Sequence, residues 1–321
     1  MPRPQPAEFA IHPALAPPLP RDGRPAVVTV GTFDGVHRGH WEVLQEIRRR
    51  AEAVGGRSIL VTFHPHPLRV VRPEHAPPLL TTLAEKREIL AESGLEYVVY
   101  IPFTRTLQHY PARRFVHEIL IGRIGMRELV IGYDHGFGRD REGSVQTLRE
   151  IGTEAGFAVD VVDAFHSSGE AISSSRIRRL LGEGHAAAAG QLLGRPYSVS
   201  GVVVRGEQKG RELGFPTANI QVADPEKMLP REGVYAARGW VRGQRIPGLL
   251  HLGPRPTFPG FAPTIELYLM DWSGDLYGEQ VRVEVVERIR DIRPFPSVES
   301  LIEAMREDER AGRGMLGLPP R

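Results

Sequence analysis

The hydrophobic pattern along the chain changes character once, near residue 190. Before that point, short runs that are apolar throughout alternate with segments of helical periodicity. The runs 26–30 (AVVTV), 58–63 (SILVTF), 97–103 (YVVYIPF), 128–134 (ELVIGYD) and 157–165 (FAVDVVDAF) predict five strands. Between them, 38–54, 82–93, 112–124 and 144–156 predict helices, with Thr81 or Thr82 available to cap the second and Gly94 to stop it. Strands with no polar face, separated by helices, belong to a parallel sheet covered on both sides. Two shorter helices follow at 173–181 and 185–193. Beyond Gly194 come six strand-like segments separated by Gly, Pro and Asp turns, which predicts a small antiparallel barrel. A helix over 297–312 closes the chain. The expected organisation is a flexible, proline-rich arm at 1–24, an α/β domain at 25–190 and a barrel domain at 191–321.

Composition narrows the function classes. Across 321 residues, 41 Lys+Arg against 39 Asp+Glu leave a net charge of +2, and the balance holds on both sides of residue 195. Neither half has the cationic surplus that a phosphate polymer selects, so nucleic acid is not an expected partner. No apolar run approaches the roughly 18 residues of a membrane span. The first 25 residues lack the basic start and apolar core of a secretory signal. With no cysteine, disulfides and thiolate chemistry are excluded, and a soluble cytoplasmic protein is the expectation. Lys is rare (Lys86, Lys209, Lys227) and Asn occurs once, as Asn219. Heat adaptation or codon bias accounts for that equally well, but a retained Asn or Lys marks a position to inspect.

Two segments carry candidate chemistry. The first, 31–40 (GTFDGVHRGH), follows a predicted strand and opens a predicted helix. Ligands of open parallel sheets lie beyond the carboxyl ends of the strands, and a helix start offers free N–H groups to an anion. Gly31, Gly35 and Gly39 allow close backbone approach, while His37 and His40 share one face of the first turn, where both rings can donate to phosphate oxygens. A metal pair is the alternative for these histidines, although no third ligand is evident from spacing. A second anion candidate is 172–178 (ISSSRIR), whose serines either cap a helix or, with Arg176 or Arg178, hold a phosphate. His64 and His66, flanked by prolines, read as turn residues.

The second segment is 206–219 (GEQKGRELGFPTAN). A glycine-rich loop there can wrap phosphates, Lys209 or Arg211 can offset their charge, and Thr217 and Asn219 can bind metal or phosphate. Downstream, 264–269 (TIELYL) alternates: Ile265, Leu267 and Leu269 take one face and Thr264, Glu266 and Tyr268 the other. By itself, Glu266 reads as a solvated strand carboxylate.

In combination these segments resemble a known family. GTFDGVHRGH and ISSSRIR are similar to the two signatures of the nucleotidyltransferase superfamily. With 61–67 (VTFHPHP), 79–90 (LLTTLAEKREIL) and 130–138 (VIGYDHGFG), they resemble the adenylyltransferase half of bacterial bifunctional riboflavin kinase/FMN adenylyltransferases. The Pro-Thr-Ala-Asn at 216–219, LPREGVYA at 229–236 and 275–278 (DLYG) are similar to the kinase half, and the resemblance runs from about residue 26 to 315. Two departures stand out: His135-Gly136, where the family often has Phe-Arg, and Arg255, where it commonly has Asn.

The resemblance implies a Rossmann-like nucleotidyltransferase domain, with helices on both faces of a parallel sheet, followed by an antiparallel β-barrel kinase domain with a closing helix. It implies that riboflavin and ATP give FMN, and that FMN and ATP give FAD and pyrophosphate. It assigns His37 and His40 to catalysis of adenylyl transfer, and Gly31, Phe33, Asp34, Gly39, Ser174, Ser175 and Arg178 to nucleotide binding there. In the kinase half it assigns Gly206, Lys209, Gly210, Gly214 and Pro216 to the nucleotide, Thr217 and Asn219 to Mg²⁺ or another divalent ion, and Glu266 to the role of base. Arg293 and Phe295 fall where family members cover the flavin. A kinase with a degenerate first domain and a flavin-binding regulator without turnover are the competing expectations.

Overall fold

The computed structural model describes residues 5–8, 19, 22–132, 143–167, 169–206, 209–254 and 264–320. Contacts divide the chain into two units, Met1–Ser173 and Ser174–Arg321. In the first, the elements in chain order are β1 (Gln5–Glu8), β2 (Ala26–Val30), α1 (Arg38–Ala53), β3 (Arg57–His64), α2 (Pro67–Val71), α3 (Leu83–Leu90), β4 (Tyr97–Pro102), α4 (Arg105–Gln108), α5 (Ala112–Phe115), β5 (Met126–Gly132), α6 (Val145–Ala155) and β6 (Ala158–Val162), with a small hairpin of β7 (His166–Ser167) and β8 (Glu170–Ala171). The helix predicted over 112–124 is α5 continued by a π-helical stretch, Val116–Ile121.

The sheet is parallel in the order β1-β4-β3-β2-β5-β6. Its strands are apolar throughout because each face meets its own core. Val28, Val30, Ile59 and Val61 pack with Phe115 and Leu148 on one side. Val27, Leu60 and Val98 pack on the other with the α1 stripe Val43, Leu44 and Ile47. From β2 the chain builds outward through β3 and β4, then returns to the opposite flank with β5. The carboxyl end of β2 is therefore the switch point where a crevice opens, and residues 31–37 lie there.

The arm expected over 1–24 is tied down at two places. Gln5–Glu8 pairs in parallel with Tyr97–Tyr100, and Leu19 is buried in the core of the unit. Proline misleads the sequence reading here: an edge strand pairs on one side only, so Pro6 is tolerated. Asp22 also reaches Arg57 at 2.5 Å.

The second unit begins with α7 (Ser174–Glu183) and α8 (Ala186–Leu193), ahead of the boundary expected near 190. Ala186 belongs to the barrel core, and the Arg231 N–H donates to Leu181 O at 2.8 Å. These contacts assign both helices to the barrel. The barrel comprises β9 (Tyr197–Val204), the short α9 (Lys209–Glu212), β10 (Thr217–Gln221), β11 (Gly233–Val241), β12 (Gln244–Gly253), β13 (Thr264–Leu269) and β14 (Gln280–Arg290). It closes in the order β10-β13-β12-β11-β14-β9, antiparallel at every junction. The six strands are the six read from the sequence.

Strand alternation separates two cores. Leu250, Leu252, Leu267 and Leu269 fill the barrel interior. Leu249, Tyr268 and Met270 face outward, where Ile302 and Met305 of α10 (Val298–Met315) cover them. Bidentate bonds from Arg290 to Asp308, at 2.7 and 2.6 Å, fasten α10 to the barrel. Gly312 faces Leu249 so closely that a Cβ there would stand 2.6 Å from its Cδ2.

Candidate functional site

At the end of β2 the backbone takes an improbable path. Phe33 and Val36 have φ of 48° and 40°, and Gly35 lies between them at 80°. A β-branched residue in the left-handed region is a genuine outlier, and each such non-glycine costs about 1–3 kcal/mol. Neighbouring groups hold the turn in place. The Asp34 carboxylate, 2% exposed, accepts from Leu80 N, Thr81 N and the Thr81 hydroxyl. Thr81 Oγ1 in turn accepts from Gly35 N at 3.1 Å. Thr32 O accepts from Thr62 Oγ1 at 3.0 Å and from Lys86 Nζ at 2.7 Å. The sequence assigns Asp34 to the nucleotide, and in the structure its described bonds go to backbone and hydroxyl groups of the turn's own scaffold.

The turn delivers His37 to the N-cap of α1. His37 Nδ1 accepts from His40 N, and His40 Nδ1 accepts from His37 N, both at 3.3 Å. Each neutral ring therefore carries its proton on Nε2. The rings stack at 3.6 Å, and Phe33 lies 4.5 Å from His40. The glycines fit this packing: a Cβ on Gly31 would meet Phe33 at 2.9 Å, and one on Gly39 would press the His37 ring at 3.3 Å. Two Nε2–H groups at the positive end of a helix suit an anion. Among the described residues no group of three or more His, Cys, Asp or Glu side chains could hold a metal ion, which leaves the metal-pair reading of these histidines without a third ligand. His66 caps α2, its Nδ1 accepting from Leu68 N, as a turn residue would.

Ser174 and Ser175 open α7. Ser174 and Arg178, one turn apart, share a face, both half-buried, while Ser175 is exposed. His135 and Gly136 lie outside the described residues, as do Arg255 and the side chain of Lys209.

Rarity alone marks Lys86 in the sequence, where it receives no role and 82–93 reads as an ordinary capped helix. It falls three residues after Leu83 and four before Leu90, on the inner face, and burial lowers its pKa from 10.5 to about 8 against the opposing pull of Asp34. Below about pH 8 both folded and unfolded chains hold this proton, and the buried charge costs about 3 kcal/mol. Between about 8 and 10.5 only the unfolded chain holds it, so stability rises with pH through that window. Urea unfolding at pH 7 and pH 9.5 is expected to register a gain of about 2 kcal/mol that Lys86→Met lacks; equal pH dependence in both proteins would refute the assignment.

The barrel site is built on the outer face. β10 and β13 pair Asn219 with Glu266, and β12 sets His251 opposite Glu266 on its other side. Glu266 is 8% exposed, so it is not the solvated carboxylate its strand suggests. Both its oxygens accept hydroxyls: Oε2 from Thr217 at 2.9 Å and Oε1 from Thr264 at 2.6 Å. His251 Nε2 lies 3.2 Å from Pro254 O and 3.3 Å from Gly253 O, which places the ring proton on that nitrogen.

Glycines crowd the two candidate ligands. A Cβ on Gly206 would stand 2.2 Å from Asn219 Nδ2, and one on Gly210 would stand 2.3 Å from Phe215 O and 3.1 Å from Thr217 Oγ1. Gly214 has φ of 83° ahead of Phe215 and Pro216. Thr217, His251 and Glu266 line a cavity of about 150 Å³ whose apolar walls include Phe215, Leu249, Ile292, Phe295 and Met305. Arg293 and Phe295 are at its rim, the guanidinium 5.2 Å from the ring.

Thr264 is the group the sequence reading named without a role; its signal is the Thr-x-Glu spacing that puts both residues on one strand face. Thr264→Val is expected to lower turnover at this site by about 10–100-fold, as loss of a hydrogen bond to a charged group removes about 1.5–3 kcal/mol, with Thr264→Ser restoring most of it. Equal rates for the Val and Ser variants would refute the role.

Family models match both units in order: FAD synthetase over residues 19–176 and riboflavin kinase over 193–316. The chain belongs to the bifunctional riboflavin kinase/FMN adenylyltransferase family. It is 36% identical over 300 residues to the protein of that name from Escherichia coli K12, covering 93% of this chain and 95% of that protein. To the Bacillus subtilis protein of the same name it is 32% identical over 289 residues, covering 88% and 90%. A crystal structure from Streptococcus pneumoniae described as a macrolide-efflux protein superposes with a TM-score of 0.82 at 30% identity, over 90% of this chain and 94% of that one. That likeness carries the fold. No described helix is long and apolar enough to cross a membrane.

Proposed function

We propose that this member of the riboflavin kinase/FMN adenylyltransferase family phosphorylates riboflavin at Glu266 and adenylylates FMN at the His37/His40 helix start. The observation that supports the kinase assignment best is the buried carboxylate between two threonine hydroxyls, opening on an apolar cavity. Riboflavin matches that environment, since it joins a flat apolar ring system to a polyol chain. Its 5′-hydroxyl is a weak nucleophile until deprotonated, and Glu266, an acceptor with both oxygens positioned, takes that proton as the oxygen attacks the γ-phosphorus of ATP. The Thr217 and Thr264 hydroxyls fix the carboxylate's orientation. ADP leaves.

Thr217 and Asn219 suit a hard divalent cation. The Thr217 hydroxyl gives its proton to Glu266, which leaves oxygen lone pairs for a cation, and the glycines at 206 and 210 clear the space beside both side chains. Mg²⁺ held there would offset charge on the ATP phosphates.

In the N-terminal unit the nucleophile is a phosphate oxygen of FMN, already ionised at neutral pH, so no base is required. It attacks the α-phosphorus of ATP and pyrophosphate leaves. The Nε2–H groups of His37 and His40 and the α1 start stabilise the charge that develops. Both substrates of both steps are small and soluble, and we place the enzyme in the cytoplasm, acting without nucleic acid. The test is chromatography of riboflavin incubated with ATP, Mg²⁺ and the purified chain. FMN followed by FAD is expected, FMN alone would leave one live site, and no phosphorylated flavin would refute the reading.

A further inference from the structure

We propose that Lys86 is a positioning residue of the adenylyltransferase site, holding through the Thr32 carbonyl the strained turn that sets His37 and His40 at the start of α1. The inference rests on the adenylyltransferase reading above and extends it to a residue that touches no substrate.

Four observations carry it. The turn has two non-glycine residues in the left-handed region, Phe33 and Val36, within four positions; such a backbone persists only where its surroundings over-determine it. The restraints come from outside the turn: Lys86 on α3, Thr62 on β3, and Leu80 and Thr81 just before α3. Lys86 and Thr62 converge on one oxygen, Thr32 O, the last carbonyl before the strained pair. Finally, Lys86 is buried, in surroundings that on balance disfavour its charge despite the pull of Asp34, although a Leu or Met would fill the same place on the inner face of α3 with no buried charge of its own. A long cation in an apolar layer, spent on a main-chain carbonyl, is explained by what that carbonyl positions.

The consequence is geometric. Freed from Lys86, the 32–36 backbone relaxes toward ordinary torsions and shifts His37, the N-cap of α1, relative to His40. Misplacement on the order of 1 Å is enough to lower a positioned reaction by about 100-fold.

The full chain provides the test. In Lys86→Met, kcat for FAD formation from added FMN and ATP is expected to fall by about 10–100-fold, with riboflavin phosphorylation unchanged. Hydrogen exchange is expected to quicken across 31–40 while strands β2 and β3 keep their protection. Thr62→Val removes the other donor to the same oxygen and is expected to lower kcat in the same way. The double variant is expected to lose less than the product of the two single losses, since both act through one carbonyl. A wild-type kcat in Lys86→Met, multiplicative losses in the double variant, or loss of protection throughout β2 and β3 in both single variants would overturn the proposal. If the unmodified chain made no FAD from FMN and ATP, the adenylyltransferase reading would fall first and the proposal with it.

Discussion

Replacing Glu266 by Gln is expected to lower kcat for riboflavin phosphorylation by about 10²–10⁴ and to leave FAD formation from added FMN at the wild-type rate. The substitution keeps the size and the strand position but removes the proton acceptor. It also disturbs the bonds that orient the group. Both carboxylate oxygens accept hydroxyl protons, from Thr217 and Thr264. A glutamine amide offers one oxygen, so one threonine meets an N–H₂ and must turn its own proton elsewhere. Adenylylation is spared because its nucleophile needs no base and because its site belongs to the other unit. Chromatography of two reactions, one started from riboflavin and one from FMN, checks both halves. Undiminished FMN formation by Glu266→Gln would remove this carboxylate from the mechanism.

His40→Ala is expected to do the converse: FAD formation falls by about 10²–10³, while FMN is made at the normal rate and accumulates. His40 acts in three ways within one ring. Its Nδ1 accepts from His37 N and its face stacks on His37 at 3.6 Å, and its Nε2–H is the donor that the proposed reaction assigns to phosphate. Alanine removes all three. His40→Asn separates them, because the short amide oxygen retains an acceptor for the backbone N–H but supplies nothing at the Nε2 position. Loss in both variants assigns the effect to the imidazole ring, its Nε2–H and its stacking together, and not to the cap. Recovery in the asparagine variant alone would make His40 a cap of α1 and nothing more.

The frame of both units is legible in the sequence because it follows from periodicity. Apolar runs such as 26–30 and 58–63 require a sheet covered on two faces, and the alternation at 264–269 fixes which residues share the outer face of the barrel. The candidate site is legible where chemistry is written in adjacent letters, as in His37-x-x-His40 and Pro216-Thr217-Ala218-Asn219. What stays hidden is long-range. Nothing local to Lys86 says that it reaches a carbonyl 54 residues earlier in the chain, and nothing local to Asp34 says that Leu80 and Thr81 will surround it. Its inward position at i+3 from Leu83 is the signal, and a helix with several charges obscures it. Pro6 hides an edge strand for a similar reason, since only the partner strand determines that its missing N–H is not needed.

On β13, function and stability occupy opposite sides of a ribbon two residues in period. Leu267 and Leu269 hold the barrel together from within, while Glu266 and Tyr268 line the cavity on its outer side. Conservative exchanges among the inner leucines therefore leave the reacting groups in place. The strand is instead vulnerable to changes of length. Deleting Ile265, if Thr264 keeps its pairing with Gly253, rotates every later side chain of the strand to the other side. Glu266 would then enter the hydrocarbon interior and leucines would face the cavity. Drift in the spelling of this strand is tolerable for the enzyme, and drift in its count is not.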